Sequence, residues 1–141
     1  MVNVLRMPKF PVLSKLFSVV TLCLLFLSGC SVVNDLTDIS TAGKAFLAEL
    51  DKGNATGAAA LMHSRSQQSG DMAAGLKAQF VDRKFSSQSI NSTNIENGVG
   101  SLTGKCNLSD DSGTPKVGDM TVQIQKDGDA WKVLNVSCKV P

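Results

Sequence analysis

The sequence predicts an α+β domain in which N-terminal helices, about three, pack on a C-terminal four-stranded antiparallel meander. Three observations predict it. Apolar residues recur at helical spacing up to Phe85 and tend to alternate thereafter. Two dipeptides, Asn97-Gly98 and Asp127-Gly128, each lie between strand-like runs, a strong local hairpin signal. Helices first and strands afterwards is the order of an α+β domain rather than of alternating βα units.

The first helix is read in "ISTAGKAFLAELDKG", where Ile39, Ala42, Phe46, Leu47 and Leu50 share a stripe. Asp38 or Ser40 supplies a cap, and Gly53 a stop. Asn54 then caps a short alanine-rich helix in "ATGAAALMHS". A third helix runs through "SGDMAAGLKAQFVDRKF", with Met72, Leu76 and Phe80 on one stripe and Ser69 or Asp71 at its start. Strands follow in "SSQSINSTNI", "VGSLTGKCNL", "GDMTVQIQ" and "AWKVLNVSCKV", the middle two separated by the loop "SDDSGTPK". With Asp127-Gly128 as the last turn, Ile124 faces Trp131 and Val122 faces Val133. The apolar alternation then changes parity to Leu134, Val136 and Cys138, which predicts a bulge near Val133-Leu134 that turns Cys138 to the core. The first strand is unusually polar, and a polar strand specifies its register weakly.

Ahead of the domain stands a cationic stretch with Arg6, Lys9 and Lys15, then an apolar run of 12 residues, Leu16 to Leu27. Spanning a bilayer takes about 20 apolar residues, so this is the pattern of a signal peptide. The join Leu27-Ser28-Gly29-Cys30 resembles the lipobox of bacterial lipoproteins. The resemblance implies diacylglycerol transfer to the Cys30 sulfur and cleavage between Gly29 and Cys30, where only small side chains fit. Residues 1–29 are then a cleaved leader, 30–37 a lipidated N-terminus and short tether, and 38–141 a single domain. Among Gram-negative lipoproteins Ser31 permits export to the outer membrane, whereas Asp in that place favours retention. The resemblance also implies a triacylated Cys30, and stable attachment needs more than one acyl chain.

Without the leader, 11 basic residues remain against 12 acidic ones, a net charge of −1. No basic cluster survives, so a nucleic-acid partner is not expected. Two cysteines remain for the fold, Cys106 and Cys138, and in an oxidising compartment a disulfide is the natural reading. A zinc site would want four ligands, and the chain has a single histidine. A redox couple would want C-x-x-C, which is absent. In a meander the two cysteine strands flank the Met120 to Gln125 strand, so the bridge must form near strand ends, across Gly118.

The element order, with the final hairpin "GDMTVQIQKDGDAWKV", resembles the cystatin-like and NTF2-like superfamily of curved sheets wrapped on a helix. Enzymes of that class carry Asp, His or Tyr inside the cone. Here there is no tyrosine, and the inward set is apolar: Phe46, Leu50, Phe80, Leu102, Val122, Ile124 and Trp131. These residues are core or, if the cone is hollow, the lining of a greasy pocket. His63, the sole histidine, is expected exposed at a helix end rather than acting as a base. Asp110, Asp111 and Asp119 lack the ligand spacing of a calcium loop. Asn54, Asn91, Asn107 and Asn135 open N-x-S/T sequons of the kind that chance supplies in a Ser-, Thr- and Asn-rich chain.

The sequence thus predicts an outer-membrane lipoprotein facing the periplasm, with no catalytic residues, metal or cofactor. It would bind a protein partner of the envelope or a small apolar ligand. The alternatives are an accessory subunit of an envelope assembly, recognised through the sheet edge, and an NTF2-like enzyme.

Overall fold

A computed structural model describes residues 33–67 and 70–141, of which Asp35–Pro141 packs as one compact unit. Cys30, Gly29 and the leader lie outside the described residues. The chain is already helical at 33, and α1 runs over 33–51. Residues 33–37, expected in the tether, are therefore helix. Their place in the stripe explains it: Leu36 stands one turn before Ile39, continuing the series Ile39, Gly43, Phe46 and Leu50. Gly53 ends the helix at φ +73°, donating its N–H to the Leu50 carbonyl (2.9 Å).

Four helices are described where about three were expected. Asn54 caps α2 (Ala55–Ala60) by accepting from the Gly57 N–H. A short α3 (Ser64–Gln67) follows, because Met62 leaves the helix to bridge Val133 on the sheet. Asp71 caps α4 (Met72–Leu76), which continues into a π-helical turn, Lys77–Val81. That wider turn brings Phe80, four residues after Leu76, into the core, where it meets Phe85 edge to face with ring centres 5.4 Å apart.

The sheet has the order β1-β2-β3-β4, with β1 Ser86–Glu96, β2 Val99–Ser109, β3 Pro115–Asp127 and β4 Ala130–Lys139, all antiparallel. The first turn is the predicted one: Asn97 and Gly98 both take positive φ, as a type I′ turn requires. The last turn sits one residue later than predicted. Asp127 pairs with Ala130, leaving Gly128-Asp129 as the loop, so Ile124 faces Val133 rather than Trp131, and Val122 faces Val136. Gly128 alone has positive φ there, which selects a turn with glycine first. The predicted bulge is present, with Leu134 as the extra residue.

β1 carries two bulges of its own. Gln88 and Asn91 have no partner in β2, so the residues on the core side are Ser87, Ile90, Thr93 and Ile95. The period is three where the bulges fall, and this is why the strand reads as unpatterned. Gly104 makes the arrangement possible, since a Cβ there would run into the Ser89 carbonyl oxygen.

Cys106 and Cys138 are bonded (S–S 2.01 Å), with Cα atoms 6.2 Å apart. They belong to β2 and β4, which flank β3. Two strand spacings of a flat sheet would separate them by roughly 9.6 Å, so the sheet curls tightly here. On β3, Gly118 stands opposite Cys106, and a Cβ on it would meet the Lys139 carbonyl oxygen. Cys138 stands opposite Met120, so the bridge joins positions flanking β3 at Gly118 on one side and Met120 on the other.

Candidate functional site

Six of the seven residues considered as a greasy pocket are core. Phe46, Leu50, Phe80, Leu102, Val122 and Ile124 are no more than 3% exposed and pack in one cluster between α1, the π turn and the sheet. α1 meets the sheet at Gly43, where a Cβ would stand 2.7 Å from Leu102 Cδ2 and 2.9 Å from Ile124 Cδ1. There is no room for a ligand at that contact. Trp131, the seventh, lies half-buried at the hairpin end, its indole N–H donating to Asp35 (3.3 Å) and Lys126 Nζ standing 5.2 Å from its ring centre.

The open part of the concave side lies elsewhere. α1 packs over β2 and β3 at the Gly43 contact, with β1 as the edge strand beside it. A cleft of about 540 Å³ opens between them, lined by Ser40 and Lys44 of α1 and by every residue of β1 from Ser87 to Thr93. Its size falls in the range of ligand sites, but its walls are hydroxyls and amides, with Ile90 the one apolar side chain. Gln88 and Asn91, the bulged residues, are both exposed on it. Lys44 is the one charged lining residue and makes no ion pair or hydrogen bond among the described residues. At one end Asp51 clamps Ser87, accepting from its N–H (2.7 Å) and its hydroxyl (2.5 Å). Nothing in the residue types marked this cleft. A signal did exist in the spacing S-x-x-I-x-x-T, which fits neither helix nor regular strand.

His63 is buried, 7% exposed, and not at an exposed helix end as expected. Its Nδ1 accepts from the Arg65 N–H (3.0 Å), which leaves the proton on Nε2 to donate to the Lys126 carbonyl (3.1 Å). With both nitrogens engaged it is a pin, fastening α3 to the β3–β4 hairpin. Beside it Asp127 accepts from the N–H (2.9 Å) and hydroxyl (3.0 Å) of Ser64. The Ser64 N–H first, then its hydroxyl, hold the Asp127 carboxyl below the usual carboxylate range. A depressed pKa stabilises the fold above the unfolded value and ceases to do so as pH falls through the folded one. We expect the melting-temperature gap between wild type and Asp127→Asn to be constant near neutrality and to shrink below about pH 4. A gap that widens on acidification would contradict this assignment.

Two of the three aspartates considered for calcium, Asp110 and Asp119, are engaged in separate places. Asp110 folds the β2–β3 loop by accepting from Ser112 and Thr114, and its carboxyl is lowered first by the Ser112 hydroxyl, then by the Thr114 N–H. Asp119 pairs with Lys105 across the strands (2.6 Å). Among the described residues no cluster of three or more His, Cys, Asp or Glu side chains is placed to hold a metal.

Comparison with solved structures identifies the architecture. An NTF2-like protein of unknown function from Shewanella oneidensis superposes with a TM-score of 0.53 at 14% identity, over 72% of this chain and 96% of that one. An NTF2-like superfamily protein from Salmonella enterica serovar Typhimurium gives 0.55 at 10% identity, over 78% and 93%. No family model matches the sequence, and no curated protein sequence does. The chain has an NTF2-like α+β fold, with helices preceding a four-stranded antiparallel sheet. Such a likeness speaks of fold and leaves function to the site.

Proposed function

We propose that this chain is a lipoprotein anchored through Cys30 to the periplasmic face of the outer membrane, and that its domain is a non-enzymatic binding module. The α1–β1 cleft is the binding site. The observation that carries the reading is the composition of that cleft: it is open and hydrogen-bonding, and its lining contains no carboxylate, imidazole or thiol. Ser40 and Lys44 share a helix face, but no hydrogen bond joins them, so the lysine is not placed to activate the hydroxyl. An apolar ligand loses its support because the apolar side chains are spent on the core.

Two measurements test this. Labelled palmitate should enter the wild type and not Cys30→Ala, which should accumulate as uncleaved precursor; equal labelling of both would defeat the anchor. A photo-crosslinking residue at Asn91 in intact cells should give discrete adducts, and one at Asp129, in the turn on the other side of the sheet, should not. Identical patterns from the two positions would defeat the cleft.

A further inference from the structure

The two edges of the sheet are not equivalent. The outer edge of β4 is covered at Val133 and Leu134 by the segment between α2 and α3 and by α3 itself. The His63 N–H donates to the Val133 carbonyl (2.7 Å), the Val133 N–H to the Leu61 carbonyl (3.1 Å), and the Ser66 hydroxyl to the Leu134 carbonyl (2.6 Å). The outer edge of β1 has no such cover among the described residues, and its Ser87 N–H is capped by Asp51 alone. The uncovered edge is the one that the cleft follows, for seven consecutive residues, a length of about 20 Å at the rise of a strand.

Resting on the reading of the cleft as a binding site, we propose that its occupant is an extended peptide segment of a partner protein that presents a carboxylate to Lys44. The lining fits a main chain. Ser, Thr, Asn and Gln side chains donate and accept alike, and the bulged Gln88 and Asn91 are unmatched by β2, so their main-chain groups are not committed to that ladder. Peptides that lie along an open strand gain affinity from main-chain hydrogen bonds and specificity from side-chain contacts. The one unpaired cation sets the charge of the partner, with no acid in the lining to compete. No aromatic ring lines the cleft to stack on a sugar or base. A second copy of the chain is a poor occupant, because the same lining set against itself would bring a Lys44 from each side and no carboxylate to meet either.

The test uses the full-length protein in detergent micelles, challenged with a displayed random heptapeptide library. Wild type should enrich peptides with Asp or Glu at one fixed position. Lys44→Gln should lose that preference, and Lys44→Glu should turn it towards Lys or Arg. For the best peptide, changing its acid to the amide should weaken binding on the order of fivefold, the contribution of one exposed ion pair. Lys44 is exposed and unpartnered, so both variants should melt with the wild type. Enrichment indifferent to the charge at position 44 would overturn the proposal. So would no enrichment above empty micelles. If Asn91 crosslinks persist in that case, the cleft still binds and only the peptide chemistry is wrong; if they too are absent, both readings fall.

Discussion

Reduction of the Cys106–Cys138 bridge should lower the melting temperature by about 10 °C or more. The bonded residues are 32 apart in sequence, and closing such a loop in the unfolded chain corresponds to roughly 3.7 kcal/mol in the loop-entropy model. A domain of this size has only about 5–15 kcal/mol of stability, and each kcal/mol moves the melting point by several degrees. The crossing adds a second reason to expect a large effect, since the bridge holds together two strands that make few direct contacts with each other. Cys138→Ala should reproduce the loss, because that side chain is only half-buried. Cys106→Ser should exceed it, placing a hydroxyl at a site with no solvent exposure. Melting curves of the detergent-solubilised protein with and without reductant measure the effect. Thiol titration of the unreduced protein decides the premise: two reactive groups in the described domain would remove the bridge and the expected shift with it.

Gly104→Ala should cost on the order of 3 kcal/mol, an unusually large effect for one methyl group. The atom it would strike is the Ser89 carbonyl oxygen, part of the β1 backbone, so relief requires the strand itself to move. Hydrogen exchange should show the loss first in β1, with β3 and β4 protected for longer. Gly43→Ala provides the contrast. Its close neighbours are the tips of the Leu102 and Ile124 side chains, and alanine recovers about 1 kcal/mol of helix propensity. The two effects nearly cancel, and the variant should lie within about 1 kcal/mol of wild type. Equal denaturation midpoints for Gly104→Ala and wild type would show that the bulged register of β1 is not enforced by this glycine.

Most of the architecture was legible because local signals agreed. Asn54 caps the helix it was expected to cap, Asp71 is the one of the two candidates that caps α4, Gly53 stops α1, and Asn97-Gly98 turns the first hairpin. The parity change after Val133 disclosed its bulge because both flanking runs are apolar. The same device in β1 went unread, since Ser87 and Thr93 are small, polar and only half-buried, and give no alternation to lose. The last turn slipped by one residue because Asp127-Gly128 and Gly128-Asp129 are both competent turns, and the pairing of Ile124 with Val133 decides between them. His63 could not be placed from sequence. Its partners, the Lys126 carbonyl and the Arg65 N–H, are main-chain groups whose approach depends on how α3 docks. Residue types mark the apolar set without saying whether it fills the interior or lines a cavity, and that depends on how closely α1 approaches the sheet at Gly43.

The π-helical turn at Lys77–Val81 gives the chain slack in its length. A π turn is an α-helix that has absorbed one extra residue without disturbing what lies on either side. Loss of one residue within it can be met by return to α geometry, with Leu76 and Phe80 still turned inward. The same loss within β2 or β3 would send every later side chain of that strand to the opposite face. The join between the helical half and the sheet is therefore the place where the sequence can shorten by one residue and keep its core.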